Sequence, residues 1–100
     1  ADLSPLLRAV PRFRRGDVNS DGALDISDPI ALLEFLFLGG EEPSCLDAAD
    51  ANDSGILGLN DPILILEHLF RGGPAPRDPF PSCGVDPNVE RLGCKSFSGC

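Results

Sequence analysis

The sequence predicts a small all-α domain built from two loop-plus-helix repeats, with antiparallel helices, a short N-terminal helix and a disulfide-stapled irregular tail. Three observations predict it. The twelve residues Asp17–Asp28 place oxygen-bearing side chains at loop positions one, three, five, nine and twelve, with Gly22 at position six. The chain then repeats itself at an offset of 33 residues: 13 of the 24 positions in Asp17–Gly40 are identical in Asp50–Gly73. Finally, four cysteines, Cys45, Cys83, Cys94 and Cys100, occupy a chain of 100 residues, a size at which a core alone is marginal and covalent or metal staples are common.

Along the chain, residues 1–15 form a basic, apolar arm. Ser4 caps and Pro5 opens a short helix expected at Ser4–Val10. The first loop follows. Four carboxylates crowded into twelve residues repel one another unless a cation balances them, and a glycine at the sixth position supplies the sharp turn of a calcium loop. In that pattern Asp17, Asn19 and Asp21 give side-chain oxygens, and Ala23 gives its carbonyl. Asp25 acts directly or through water, Asp28 closes the site, and Leu24 points into the core. The second loop, Asp50–Asp61, keeps Asp50, Asn52 and Asp61. Ser54 stands at the fifth position, Ile56 supplies the carbonyl, and Gly58 replaces the ninth-position acid. Two carboxylates in place of four predict a weaker second site, and Asp53 is expected to point outward.

Each loop leads into a helix, near residues 29–38 and 62–71. Asp28 and Asp61 are expected to cap, Pro29 and Pro62 fit the first turn, and Gly39-Gly40 and Gly72-Gly73 end the helices. The repeat spans residues 16–73. The remainder, 74–100, opens with an irregular Pro-rich connector over 74–82. A cysteine-bounded tail follows it, with a turn of helix expected near Asn88–Leu92 and the whole segment belonging to the same domain. Four cysteines allow three pairings. The need for a clasp across the tail favours Cys83–Cys94, which leaves Cys45–Cys100.

Composition narrows the function. The net charge is −8, yet residues 1–15 carry four arginines against one aspartate while the rest carries four bases against fifteen acids. No basic face large enough for nucleic acid is expected. No apolar run reaches the ~18 residues of a membrane span. An even cysteine count in a short chain reads as an oxidising, extracellular setting, and the Ala-Asp-Leu start suits a secreted protein after leader removal. A zinc site is disfavoured because no CxxC pair occurs and His68 lies far from every cysteine. There is no Ser/His/Asp set and no phosphate loop, so the expectation is a non-enzyme.

The stretch Gly-Asp-Val-Asn-Ser-Asp-Gly-Ala-Leu-Asp-Ile-Ser-Asp over residues 16–28, with its duplicated loop and helix, resembles the type I dockerin family. The resemblance implies F-hand motifs (EF-hands without the entering helix), two calcium ions, an extracellular bacterial setting and docking to cohesin domains in either of two orientations. It carries the calcium ligands onto Asp17, Asn19, Asp21, Asp25 and Asp28, then Asp50, Asn52 and Asp61, with Ser54 a departure. The cohesin-recognition pairs fall on Ile26-Ser27 and Leu59-Asn60, which differ from the Ser-Thr type pair of the best-known members. The cysteine-bearing tail resembles a subset of secreted bacterial dockerin-like repeats.

The helices argue separately for a protein partner. In residues 29–38 only Glu34 is polar, whereas a surface helix normally keeps a polar face. Some of Leu32, Phe35, Leu38, Ile65 and Leu69 then either remain exposed as a partner surface or are covered by the N-terminal arm or the tail. Two readings follow: a structural subunit that self-assembles into an extracellular fibre or layer, helped by the basic arm, or a module that docks calcium-dependently on a cohesin-like domain.

Overall fold

The computed structural model describes residues 12–87 and 92–100. The expected helix at Ser4–Val10 lies outside them, as does the expected turn at Asn88–Leu92 apart from Leu92 itself. Helices are the regular elements among the described residues: α1 at Ser27–Phe37, α2 at Leu46–Ala49 and α3 at Asn60–Arg71. No strand occurs among these residues, and their one isolated bridge pairs Phe13 with Gly84. The protein is thus small and helical, with long irregular segments stapled by two disulfides.

Helices α1 and α3 start two residues earlier than the proline positions led us to expect, and α1 stops at Phe37. The expected caps do not form. Ile26 and Leu59 precede the helices, and neither makes a side-chain cap bond. Asp28 and Asp61 lie inside the first turns, where loop N–H groups compete for their carboxylates and win. The C-termini behave as expected. Gly39 and Gly72 take φ of 69° and 66°, which an L side chain rarely adopts. The following glycines donate N–H back to Glu34 O and Glu67 O at 2.9 and 3.0 Å, so each closes on a helix carbonyl six positions earlier.

The two long helices pack on one another. Between them sits a core of Val18, Leu32, Ala49, Ala51 and Ile65, joined by Leu24 and Leu57 one from each repeat. Leu32 and Ile65 are fully buried, so of the five helix residues from which an exposed subset was expected these two belong to the core. Complete burial of such a side chain contributes about 1.5–3 kcal/mol. Helix α2 was not foreseen; four residues are too few for a periodic signal, although Leu and Ala both favour helix.

A second cluster joins Phe13, Cys45 and Ala48, with Cys94 and Phe97 against it. Phe13 and Phe97 meet edge to face at 6.5 Å between centroids. The cysteines pair as Cys45–Cys94 and Cys83–Cys100. Both expected pairings, Cys83–Cys94 and Cys45–Cys100, are therefore corrected. The physical reason is that the tail folds back across the body: Lys95 N donates to Ser44 O at 3.1 Å and Asp47 N to Gly93 O at 3.0 Å, which seats Cys94 beside Cys45. A local clasp within the tail would have required the tail to stand alone.

The connector is also woven in. Phe13 and Gly84 exchange N–H···O bonds at 2.9 and 3.0 Å, Arg15 N donates to Pro79 O at 2.7 Å, and Arg77 N donates to Ala51 O at 3.1 Å. The irregular backbone is thus satisfied by partners distant in sequence rather than by ladders.

Candidate metal centre

Within Asp17–Asp28 the backbone folds around two buried carboxylates. Asp17 accepts N–H bonds from Asp21 at 3.3 Å and Gly22 at 2.9 Å. Asp28 accepts from Asn19 at 3.3 Å and Asp25 at 2.9 Å. These bonds tie the end of the loop to its beginning and its turn to its first residue. Gly22 makes that turn at φ 88°.

The same wiring recurs 33 residues on. Asp50 accepts from Ser54 N at 3.2 Å and Gly55 N at 2.8 Å, and Asp61 accepts from Asn52 N at 3.3 Å and Gly58 N at 3.0 Å. Asp17, Asp28, Asp50 and Asp61 are all fully or almost fully buried. Burial of this kind is costly for a charge without a partner.

Carboxylate oxygens of Asp17, Asp21 and Asp28 lie within 4.8 Å of one another. Three acids converging from loop positions one, five and twelve make an oxygen-only donor set, which suits a hard cation such as calcium or magnesium rather than a thiophilic metal. Asn19 sits at the rim: its Oδ1 accepts from Asp21 N at 3.3 Å, and its Nδ2 donates to Ser27 Oγ at 2.9 Å. Asp25 is exposed and turned to Ser27, whose N–H and hydroxyl both donate to its Oδ1. Ala23 is exposed, with its N–H on Asp21 Oδ1 at 2.9 Å.

The second loop holds fewer charges. Ser54 Oγ reaches the Ile56 carbonyl at 3.0 Å and Asp50 Oδ1 at 3.4 Å, so the hydroxyl stands among the oxygens where the first loop has Asp21. Asn52 Oδ1 accepts from Ser54 N at 3.1 Å. Asp53 does not point outward. It faces Arg15, with Nη2 to Oδ1 at 3.5 Å, and its side chain is nearly buried. The guanidinium draws it in.

Burial governs the protonation of these acids. It raises Asp17 above the usual carboxylate range, with the nearby Asp21 charge adding to it and the loop N–H bonds opposing it. Burial likewise raises Asp28 to about 7 and Asp61 to about 6, again against two stabilising N–H bonds each. A cation among these oxygens reverses that balance, because it favours the ionised forms.

At the sequence level Arg15 is one of the four arginines of the basic arm, with no buried role expected. It is completely buried. Its Nε donates to Asp78 O at 2.9 Å, and Nη1 donates to Asp47 O at 2.9 Å and Asp50 O at 3.0 Å. Nη2 pairs with Asp86 at 3.1 Å and Asp53 at 3.5 Å, and the guanidinium carbon stands 5.2 Å from the Phe13 ring centre. Its neighbour Arg14 approaches the first loop, with Nη1 at 3.6 Å from Asp17 Oδ2. The only sequence signal was the position itself, adjacent basic residues directly before an acidic loop.

The residues expected to meet a partner divide by face. Ile26 and Leu59 are about half exposed, Asn60 is exposed, and Ser27 is half-buried against Asn19 and Asp25. Ile26, Ile30 and Phe37 form one exposed helical stripe, and Leu59, Ile63 and Phe70 form its counterpart a repeat later. Leu38 is exposed as expected, whereas Phe35 and Leu69 are partly buried against the core. His68 closes the end of α3, with Nδ1 at 3.3 Å from Gly73 O and its ring edge-on to Phe80. No helix among the described residues is long and apolar enough to cross a membrane. Two disulfides fit an extracellular protein. No family model matches this chain, and no curated protein or solved structure matches it.

Proposed function

We propose that this protein is a secreted calcium-binding module that presents a duplicated apolar surface to another protein chain. The observation that carries the reading is the convergence of Asp17, Asp21 and Asp28 oxygens within 4.8 Å in a loop whose two buried acids are met by backbone N–H groups and, at Asp17, by the part-exposed Arg14. Calcium is favoured over a softer metal by the all-oxygen donors and by the spacing of the loop. The second loop is a weaker site, since Asp50 and Asp61 are its only carboxylates facing the turn. Its hydrogen bonds repeat those of the first loop pairwise, which supports reading the two loops as copies of one motif.

The ion acts as a fixed clamp here. Each loop ends in a helix whose outer stripe is apolar, so neutralising the loop sets the orientation of that stripe. The equal exposure of Ile26 with Leu59, Ile30 with Ile63 and Phe37 with Phe70 favours docking on a separate domain that reads either repeat. Self-assembly into a fibre or layer is the second reading, and the strong exposure of Phe37, Leu38 and Phe70 near the helix ends favours it.

Calorimetric titration of the cation-free protein with calcium tests the central point. Two unequal sites are expected, with Asp17→Ala removing the tighter and Asp50→Ala the weaker; absence of any binding heat and of any calcium retained on dialysis defeats the reading. Light scattering of the same samples separates the partners: particles far above the 10.6 kDa chain favour self-assembly, and a monomer favours docking.

A further inference from the structure

The two loops are not equally covered. Residues 97–100 lie across the first and leave the second alone. Ser98 Oγ donates to Ser20 O at 2.9 Å, and Arg14 Nη1 donates to Gly99 O at 3.3 Å while facing Asp17. Gly99 fits there because it has no side chain: a Cβ would stand 2.7 Å from Asp17 Oδ2 and 2.9 Å from Gly22 N. The Gly99 carbonyl in turn would lie 3.3 Å from a Cβ on Gly22. Backbone therefore presses directly on the first-position carboxylate and on the turn that supports it.

Two anchors hold this segment. Phe97 packs against Phe13, and Cys100 is joined to Cys83. The Cys83–Cys100 bond has an exposed partner in Cys100, whereas Cys45 of the other disulfide is fully buried. The disulfide that ends this segment is thus the more accessible of the two.

We propose that residues 97–100 are a strap, latched by Cys83–Cys100, that holds the first loop closed and slows cation exchange there. The inference rests on the reading of that loop as a calcium site. The strap fixes the Asp17 carboxylate in place, so its release lets the loop breathe and the ion leave. Among the described residues it has no equivalent on Asp50, whose backbone carbonyl is held by Arg15.

Two full-chain variants test it. Cys83→Ser with Cys100→Ser unlatches the strap, and Gly99→Ala displaces it with both disulfides intact. Calcium release is followed on mixing with excess chelator, and the two release phases are assigned with Asp17→Ala and Asp50→Ala. Release from the first loop is expected to quicken by about tenfold in both variants, the usual route by which contact losses act, with the second loop unchanged. Hydrogen exchange at the Gly22 amide, measured without calcium, should quicken likewise. Unchanged release from the first loop, or equal acceleration at both loops, overturns the strap. Should the parent protein bind no calcium, the calcium reading fails separately, and an unaltered Gly22 exchange rate still overturns the strap.

Discussion

Arg15 shows how much a single side chain organises in a protein this small. It spends its hydrogen bonds on three carbonyls, from Asp47, Asp50 and Asp78, and its charge on Asp53 and Asp86. These partners come from four separate segments, so the guanidinium substitutes for the backbone ladders that the irregular regions lack. Arg15→Met removes the donor that the Asp47, Asp50 and Asp78 carbonyls share and the cation that faces Asp53 and Asp86. A loss of about 3–5 kcal/mol is expected, measured by urea unfolding; a loss below about 1 kcal/mol would mean that the network is incidental. The buried acids make a second prediction. Asp28 and Asp61 are raised to about 7 and about 6, and Asp17 is raised in the same direction. In the cation-free protein the folded state therefore binds more protons than the unfolded state between pH 4 and 7. Stability is greatest near the lower end of that window and falls as pH rises through it. Calcium needs the ionised oxygens, so its affinity climbs over the same window and binding releases protons. Urea midpoints across this range, with chelator and with calcium, should diverge as pH rises; parallel curves would contradict the linkage.

The helices were the most legible elements, and the reasons are local. Pro29 and Pro62 mark the first turns because their fixed φ suits a helix start, and the Gly39-Gly40 and Gly72-Gly73 pairs mark the ends because glycine readily takes the left-handed angle found there. What the repeat did not reveal was which helical face turns inward. Helix α1 is apolar nearly all round, so periodicity alone does not orient it, and Leu32 and its counterpart Ile65 proved to be core. Their outer stripes differ in consequence. Leu32→Ala is expected to cost about 2–5 kcal/mol by leaving a cavity at the helix contact. Ile30→Ser together with Ile63→Ser, at exposed positions, should change the unfolding midpoint little while abolishing partner binding or particle formation. Thermal unfolding and light scattering distinguish these outcomes. Equal destabilisation by the two sets would place the stripes in the core rather than on a docking face.

For the whole molecule, the tail determines what the sequence leaves open. The loops and helices occupy residues whose chemistry is local, and oxygen spacing announced Asp17, Asp21 and Asp28. The disulfide pairs, the inward turn of Asp53 and the cover over the first loop depend on how distant segments cross, which spacing does not encode. The described residues combine three helices with two disulfides, a buried arginine and loops rich in buried carboxylates. A hard cation in the first loop is the claim on which the rest depends. Thermal unfolding at neutral pH, with calcium against chelator, tests it most directly. Calcium at about a hundred times its dissociation constant stabilises by about 2.7 kcal/mol, which in a domain of this size is a rise of about 10 °C or more in the midpoint. The rise should vanish in Asp17→Ala. An identical midpoint with calcium and with chelator would contradict the account.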